Sequence, residues 1–300
     1  MIITNKHNLP DIIVNVVQRP TYSKGNAHIS ATQLLNSPKI VALTKKYDEE
    51  IEQDVSGMVW SILGSALHGV LEHGKNENSI VEQRLHADVD GWLVSGAVDL
   101  QEVYEDGIVI SDYKMTSAWA AMNDKPEWEQ QLNIYAWLIE TQKQAVIKSL
   151  NIVAFLRDWS GRDAENKENY PKAPIVSIPI TLWSLEEREA YIRGRVEKHS
   201  EADYLLETGE TLPDCTPKEM WEKPTVYAVR KVGGVRAKSL FEDLDEALKA
   251  LEELGKGYEI DVRNGERTRC SSFCSVNKWC KQYELYQLEM TEEGIKDECK

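Results

Sequence analysis

Apolar and polar residues alternate along two neighbouring stretches of the chain, and this period of two predicts a pair of antiparallel β-strands. The stretches cover residues 91–100 and 107–115, and the polar turn Glu105-Asp106-Gly107 separates them. The surrounding runs predict, in chain order, a helix at 28–46 that Pro38 interrupts, a helix at 56–74, a strand at 79–87, a helix at 126–141, a strand at 148–159, a loop at 160–172, a strand at 173–182 and a helix at 184–205. Strands that alternate with helices predict an α/β fold.

The pattern changes near residue 206. Two short apolar runs meet at Gly233-Gly234 and predict a hairpin, followed by a helix at 243–254 and a short strand. We therefore predict an α/β core at residues 1–205, a C-terminal module at 206–285 with a ββαβ insert at 216–269, and a flexible acidic tail at 286–300.

Composition sets broad limits on the class of protein. An apolar content of 42% and nine tryptophans in 300 residues are sufficient for a large core. We see no apolar run of the ~20 residues that a membrane span needs, and residues 1–10 lack the apolar stretch of a signal peptide, so we expect a cytoplasmic protein with no membrane partner. The net charge of −15 argues against broad coating of nucleic acid, but a local channel can still hold a phosphate backbone.

The two predicted strands carry the first candidate chemistry. The hairpin would bring Asp99, Asp112 and Lys114 to one edge of the sheet. Two carboxylates can hold a divalent cation, and a neighbouring lysine can orient water or contact a phosphate. The pattern is consistent with phosphodiester hydrolysis, although acidic residues near strand ends are also common without a metal.

Three other polar residues lie on predicted helices. His68 lies on an apolar helix, where a histidine is more often a packed core residue than a metal ligand. Gln131 and Tyr135 are four residues apart and share one helix face, which is also typical of ordinary surface polarity.

The order of these residues resembles a known family. His68, then G-x-x-D ending at Asp99, then D-x-K at residues 112–114, then Q-x-x-x-Y at residues 131–135 resemble the RecB-type branch of the PD-(D/E)xK nuclease superfamily. The resemblance covers roughly residues 28–157. It implies a mixed central sheet flanked by helices, which is a restriction-endonuclease-like core.

The resemblance also implies a role for each residue. His68, Asp99, Asp112 and the backbone carbonyl of Tyr113 would bind a metal, and Lys114 would be the active-site lysine. Gln131 and Tyr135 would align the DNA strand, and Glu82 matches an acid often found near the site. Oxygen ligands suit Mg²⁺ or Mn²⁺, and the imidazole favours Mn²⁺.

Three cysteines, Cys270, Cys274 and Cys280, lie within one short segment near the end of the chain. Structural zinc usually uses closely paired cysteines, and the second interval here has five residues, but zinc stays an alternative to an iron–sulfur cluster. Some RecB-like nucleases, including the CRISPR-adaptation nucleases and the AddB subunit, hold a [4Fe–4S] cluster with three such cysteines and a remote one near the N-terminus. Ser37 stands at that remote place here, so we predict Cys215 as the fourth ligand and a structural role for the cluster.

These features predict a divalent-metal-dependent DNA exonuclease that processes DNA ends for recombination or repair, of a type frequent in phages. Its partners would be DNA with a free end and a recombination or single-strand-binding protein. Two alternatives stay open: a structure-specific endonuclease that cuts flaps or junctions, and a non-catalytic DNA-binding module that assists recombination. The basic side chains near the predicted hairpin would line a DNA path or form a solvated face: Lys223, Arg230, Lys231, Arg236 and Lys238.

Overall fold

The computed structural model describes residues 1–18 and 25–298, and it divides into two compact units, Met1–Thr211 and Leu212–Lys300. The end of the core predicted at residue 205 falls within a helix that continues to Thr208. None of the helices in the described ranges is long and apolar enough to cross a membrane.

The N-terminal unit contains eight strands and eight α-helices among its described residues. The strands are β1 Ile2–Thr4, β2 Ile29–Ser30, β3 Glu52–Asp54, β4 Ser79–Val89, β5 Trp92–Tyr104, β6 Gly107–Thr116, β7 Ile147–Leu156 and β8 Ile175–Ile180. The helices are α1 Asp11–Gln18, α2 Ala31–Leu35, α3 Pro38–Lys46, α4 Val59–Glu72, α5 Ala118–Ala121, α6 Pro126–Lys143, α7 Gly161–Asn166 and α8 Leu185–Thr208.

Six of these strands form one mixed sheet. The strand order is β2-β5-β6-β7-β8, and β4 also pairs with β5. Strand β5 is antiparallel to β4 and β6, whereas β6 and β7 are parallel. The predicted fold class, a mixed central sheet flanked by helices, is confirmed.

Local signals in the sequence explain several element boundaries. Ser30 caps α2 through a reciprocal capping box with Gln33, and Pro38 begins α3, so the predicted helix at 28–46 is two short helices. Helix α6 supplies the largest share of the core, with nine buried residues between Gln131 and Ile139. It packs closely on β5 at Gly96, where a Cβ atom would lie 2.7 Å from Leu138 Cδ1.

Two expectations about the core need correction. The loop predicted at 160–172 contains α7, which Ser160 caps through Asp163 N. The aspartates were expected at the ends of two strands at the sheet edge, but Asp99 lies inside β5 and Asp112 inside β6, both in the interior of the sheet. The hairpin turn itself is as predicted, since Tyr104 pairs with Gly107.

The C-terminal unit contains a small antiparallel sheet, a second two-stranded pairing and four α-helices among its described residues. The strands are β9 Glu222–Lys223, β10 Val226–Lys231, β11 Ala237–Phe241, β12 Tyr258–Arg263 and β13 Glu266–Arg267, and the helices are α9 Pro217–Met220, α10 Leu244–Leu254, α11 Thr268–Ser272 and α12 Lys281–Glu298. Strand β10 is central between β11 and β12. The tail predicted to be flexible from residue 286 continues α12 to Glu298, and Cys299 lies outside the described residues.

Candidate active site

The two central aspartates lie where strands β5 and β6 separate. The registered pairs between these strands run from Tyr104 and Gly107 to Leu100 and Ser111. Asp99 and Asp112 are the next residues on either side, and both are buried. The Tyr113 backbone N–H donates to Asp99 Oδ2 at 2.8 Å, in place of the next ladder bond. The separation of the strands therefore holds two carboxyl groups in the core of the sheet.

His68 and Glu82 approach Asp99 from different elements. His68 Nδ1, on α4, lies 2.9 Å from Glu82 Oε1 and 3.6 Å from Asp99 Oδ1. Glu82 belongs to β4 and has a positive φ of 50°, which is uncommon for a residue with a side chain. It stands between Val81 and Gln83, which pair with Leu100 and Val98, so it falls opposite Asp99 in the register.

Lys114, Gln131 and Tyr135 form a hydrogen-bonded network around Asp112. Lys114 Nζ lies 2.6 Å from Asp112 Oδ2 and donates to Gln131 Oε1 at 3.0 Å. The Gln131 amide donates to Asp112 Oδ1 at 3.2 Å and to the Tyr135 hydroxyl at 2.8 Å. Gln131 and Tyr135 both lie on α6, which fixes them over the sheet.

Burial and crowding change the acidity of the site. Burial, together with the neighbouring Asp112 carboxylate, raises the pKa of Asp99 to about 7. The hydrogen bond that His68 Nδ1 donates to the Glu82 carboxylate raises the pKa of His68, although burial opposes this effect. Burial also raises the pKa of the Tyr113 hydroxyl. A raised pKa at a buried carboxyl indicates that the neighbouring protein groups do not fully compensate its negative charge.

The site fits a divalent cation. The ligand atoms of His68, Glu82 and Asp99 lie within 4.8 Å of one another. The buried Asp112 Oδ2 pairs with Lys114 Nζ at 2.6 Å. Carboxylate oxygens and one imidazole nitrogen form a donor set suited to Mg²⁺ or Mn²⁺.

The structure brings together the side chains of all six predicted residues of the nuclease core, and Glu82, which the family resemblance named as an acid near the site, lies among them. The resemblance assigned no role to Glu82. Its place opposite Asp99 depends on the pairing of β4 with β5, so only the strand register could have indicated its contact with His68.

The four predicted cluster cysteines all belong to the C-terminal unit, where Cys215 is buried and the others are half-buried. Gln282 on α12 clamps the Cys215 backbone, accepting from its N–H and donating to its carbonyl, each at 2.9 Å. Burial, reinforced by the other three thiols, raises the pKa of Cys270 to about 11, and burial raises the pKa of Cys274. The described thiols provide no group of three whose sulfur atoms all lie within 4.8 Å of one another.

Two of the five basic side chains near the C-terminal hairpin are paired with carboxylates. Arg230 lies within 3.4 Å of acidic oxygens of Glu259 and Asp261 on β12. Lys223 pairs with Glu266 at 2.6 Å. These contacts favour the solvated face over a DNA path along this hairpin.

Comparison with known proteins identifies the family. The profile of the PD-(D/E)XK nuclease superfamily matches residues 39–281, which is most of the chain, so this protein belongs to the PD-(D/E)XK nuclease superfamily. It is therefore a nuclease by family, and DNA is the substrate that this family implies. No curated protein matches the sequence significantly.

Solved structures similar to this chain include the protein named SSO0001 and a candidate exonuclease from Eubacterium rectale. SSO0001 is 20% identical with a TM-score of 0.47, over 64% of this chain and 84% of the other. The Eubacterium rectale protein is 11% identical with a TM-score of 0.31, over 58% of this chain and 64% of the other, which is under two thirds of its length.

Proposed function

We propose that this protein is a divalent-metal-dependent DNA exonuclease of the RecB-like branch, which hydrolyses phosphodiester bonds at DNA ends. The observation that supports this most directly is the separation of β5 and β6 at Asp99 and Asp112. It leaves the buried carboxyl groups of Asp99 and Asp112 beside His68, with the Lys114 ammonium 2.6 Å from Asp112 Oδ2. Two carboxyl groups beside one ammonium group form a site that is suited to a cation.

The metal ligands in this proposal are His68, Asp99, Asp112 and the backbone carbonyl of Tyr113. A bound Mg²⁺ or Mn²⁺ supplies a water of lowered pKa and charge for the phosphate oxygens. Glu82 orients the His68 ring through its hydrogen bond to Nδ1.

Lys114 has the role of a positioned cation rather than a base. Its ammonium group contacts the Asp112 carboxylate and the Gln131 amide oxygen. From there it would orient the attacking water or contact the phosphate as negative charge develops. Gln131 accepts a hydrogen bond from the Lys114 ammonium, and Tyr135 accepts one from the Gln131 amide. From these positions Gln131 and Tyr135 would also align the DNA strand.

The first experiment compares the intact chain with Asp112→Asn on linear DNA labelled at one end, with Mn²⁺ or Mg²⁺. We expect the intact chain to shorten the DNA from its ends and the variant to be slower by at least about 100-fold, because the carboxylate contacts charge that develops during reaction. Asp106→Asn is the matched control, since Asp106 lies in the hairpin turn with its side chain mostly exposed and pairs with Lys148. No degradation of linear, flapped or single-stranded DNA by the intact, fully loaded chain would refute the proposal.

The same experiment separates the alternatives. Cleavage of closed-circular or flapped DNA that continues when the DNA ends are blocked would favour a structure-specific endonuclease. DNA binding without cleavage would favour a non-catalytic module that assists recombination. Lys114→Met distinguishes a structural metal site from a catalytic one: we expect Mn²⁺ binding, measured by calorimetry, to persist while cleavage is lost.

We also propose that Cys215, Cys270, Cys274 and Cys280 hold a [4Fe–4S] cluster with a structural role. In tetrahedral zinc sites the Zn–S distance of about 2.3 Å requires all sulfur atoms to be about 3.8 Å apart, whereas no three of the described thiols lie within 4.8 Å of one another. A larger cluster suits this spacing and supplies the positive charge that buried thiolates require.

Anaerobic purification tests the cluster. We expect a broad absorption band in the visible region together with bound iron and sulfide, and loss of the band in Cys215→Ser but not in Cys299→Ser. Stoichiometric zinc without the band would show a zinc site in place of the cluster.

The nuclease proposal has four further parts. They are membership of the RecB-like branch, a phage-type role in recombination, a cytoplasmic location and a single-strand-binding partner.

A further inference from the structure

Two exposed aromatic rings lie beside the cysteine-rich segment of the C-terminal unit. Trp221 is 48% exposed and Phe273 is 67% exposed. Their ring centroids are 5.4 Å apart, with the planes tilted by 53°. Trp221 ends α9 in the left-handed conformation, with φ of 51°, which is strained for a residue of this size. The surrounding structure therefore holds a large apolar ring in solvent at an energetic cost.

Positive charge is concentrated next to these rings. The Arg269 guanidinium lies 5.4 Å from the Trp221 ring centroid and donates to the Glu219 carbonyl at 3.1 Å. Residues 263–281 contain five basic side chains, namely Arg263, Arg267, Arg269, Lys278 and Lys281, and one carboxylate, Glu266. Arg263 and Arg267 pair with Asp261 and Glu222, which lie outside this segment, at 3.1 and 3.7 Å. The excess that would attract a polyanion therefore comes from Arg269, Lys278 and Lys281.

The same segment contains further cation–aromatic pairs. Arg267 lies over the Tyr286 ring at 4.4 Å, and Lys278 lies over the Trp279 ring at 3.9 Å. Alternating aromatic and basic side chains are typical of proteins that bind single strands, because any base can stack on a ring while the cations follow the phosphates. Bases in a duplex are not available to stack on these protein rings, because they already stack on one another.

We propose that Trp221, Phe273 and Arg269 form a stacking surface for single-stranded DNA in the C-terminal unit. One or two unpaired bases stack on the rings, and Arg269 with its basic neighbours contacts the phosphates. This proposal rests on the proposed function for its choice of DNA. An exposed aromatic pair also suits a protein partner, but the basic excess of residues 263–281 favours the nucleic acid.

The test measures binding without cleavage, using the full chain with Asp112→Asn in every sample and no divalent metal. The probe is a fluorescein-labelled oligothymidine of about 12 nucleotides, and the comparison probe is an abasic strand of the same length and charge. We expect tighter binding of the oligothymidine. Phe273→Ala should weaken it by about 5- to 100-fold, the range for loss of stacking on one ring, and should reduce the preference over the abasic strand.

Two variants control for folding and for general surface effects. Val235→Ala alters a side chain that is 89% exposed elsewhere in the C-terminal unit and should leave the affinity unchanged. Phe273→Tyr keeps a ring and should restore the preference, and Trp221→Phe should do the same. Equal affinity for both probes, or an unchanged affinity in Phe273→Ala, would overturn the stacking surface and leave the patch to a protein partner. Because the assay contains no active enzyme, its failure would not affect the nuclease proposal.

Discussion

Single residues in this protein take their importance from tertiary neighbours rather than from sequence spacing. Glu82 is the clearest case, because it has a left-handed conformation inside a strand and bonds to His68. Strain of this kind persists where surrounding contacts fix it, and it is common at functional sites. In Glu82 the strained backbone and the contact with a predicted metal ligand coincide.

The role of Glu82 leads to a prediction about metal affinity. Glu82→Ala should weaken Mn²⁺ binding by about 10- to 100-fold, because the partner that orients the His68 ring is lost. Glu82→Gln keeps an acceptor for Nδ1 and should weaken binding less. Calorimetric titration with Mn²⁺ measures both, with Glu105→Gln in the hairpin turn as control. Equal affinity in Glu82→Ala and the intact chain would show that Glu82 has no part in the site.

Asp54 carries a pH-dependent contribution to stability. It accepts hydrogen bonds from Thr4, Lys6 and Ser56, and the Ser56 hydroxyl is the main cause that holds the pKa of Asp54 well below its usual range. A carboxyl whose pKa is lowered on folding stabilises the native state above its unfolded pKa, about 3.9, and this contribution is lost as pH falls through the folded pKa. Asp54→Asn should therefore be less stable near neutral pH, and the difference should shrink below about pH 4. Urea unfolding at several pH values measures it; a difference independent of pH would contradict the assignment.

At the scale of elements, the close approach of α6 to β5 positions much of the site. Gly96 allows it, since a Cβ there would lie 2.7 Å from Leu138 Cδ1 and 2.9 Å from Tyr135 Cε1. The same helix carries Gln131, whose amide bridges Asp112 and Tyr135. The packing of one helix on one strand therefore sets the positions of both polar residues of the Q-x-x-x-Y motif.

Gly96→Ala tests this packing. We expect a loss of about 1–3 kcal/mol in the free energy of unfolding, because the added methyl group overpacks a rigid interface. Gly64→Ala is the contrasting control, because nothing lies within 4 Å of its Cβ position on α4. There alanine should stabilise the helix by roughly 0.5–1 kcal/mol. Chemical denaturation of both variants gives the comparison, and equal effects would mean that α6 does not depend on Gly96.

At the scale of the whole molecule, the two units have separate means of stabilisation. The N-terminal unit has an extended apolar core formed by the central sheet and α6. In the C-terminal unit, α11 contains no buried residue, and Cys270 and Cys274 lie within it and just beyond it. A helix of five residues is not stable by itself, and the cluster proposed above would cross-link it to Cys215 and Cys280.

The proposed cluster should therefore stabilise the C-terminal unit and not the N-terminal unit. In Cys270→Ala, we expect amide hydrogen exchange of α11 to become fast while α6 stays protected as in the intact chain. Cys299→Ala is the control, since Cys299 is not one of the four proposed ligands. Exchange in α11 that is the same in both variants would mean that the cysteines do not hold this segment together.

The sequence by itself determined the secondary structure of the sheet, the boundary near Pro38 and the motif order that leads to the nuclease superfamily. These features depend on local periodicity, capping and turn residues, which act between residues close in the chain. Tertiary structure alone decided that Asp99 and Asp112 lie inside the sheet where β5 and β6 part. It also placed Glu82 opposite Asp99 and Gln282 against Cys215. Glu82 lies 14 positions from its partner His68, and Gln282 lies 67 positions from Cys215. Strand register and packing, which no local pattern encodes, fix these contacts.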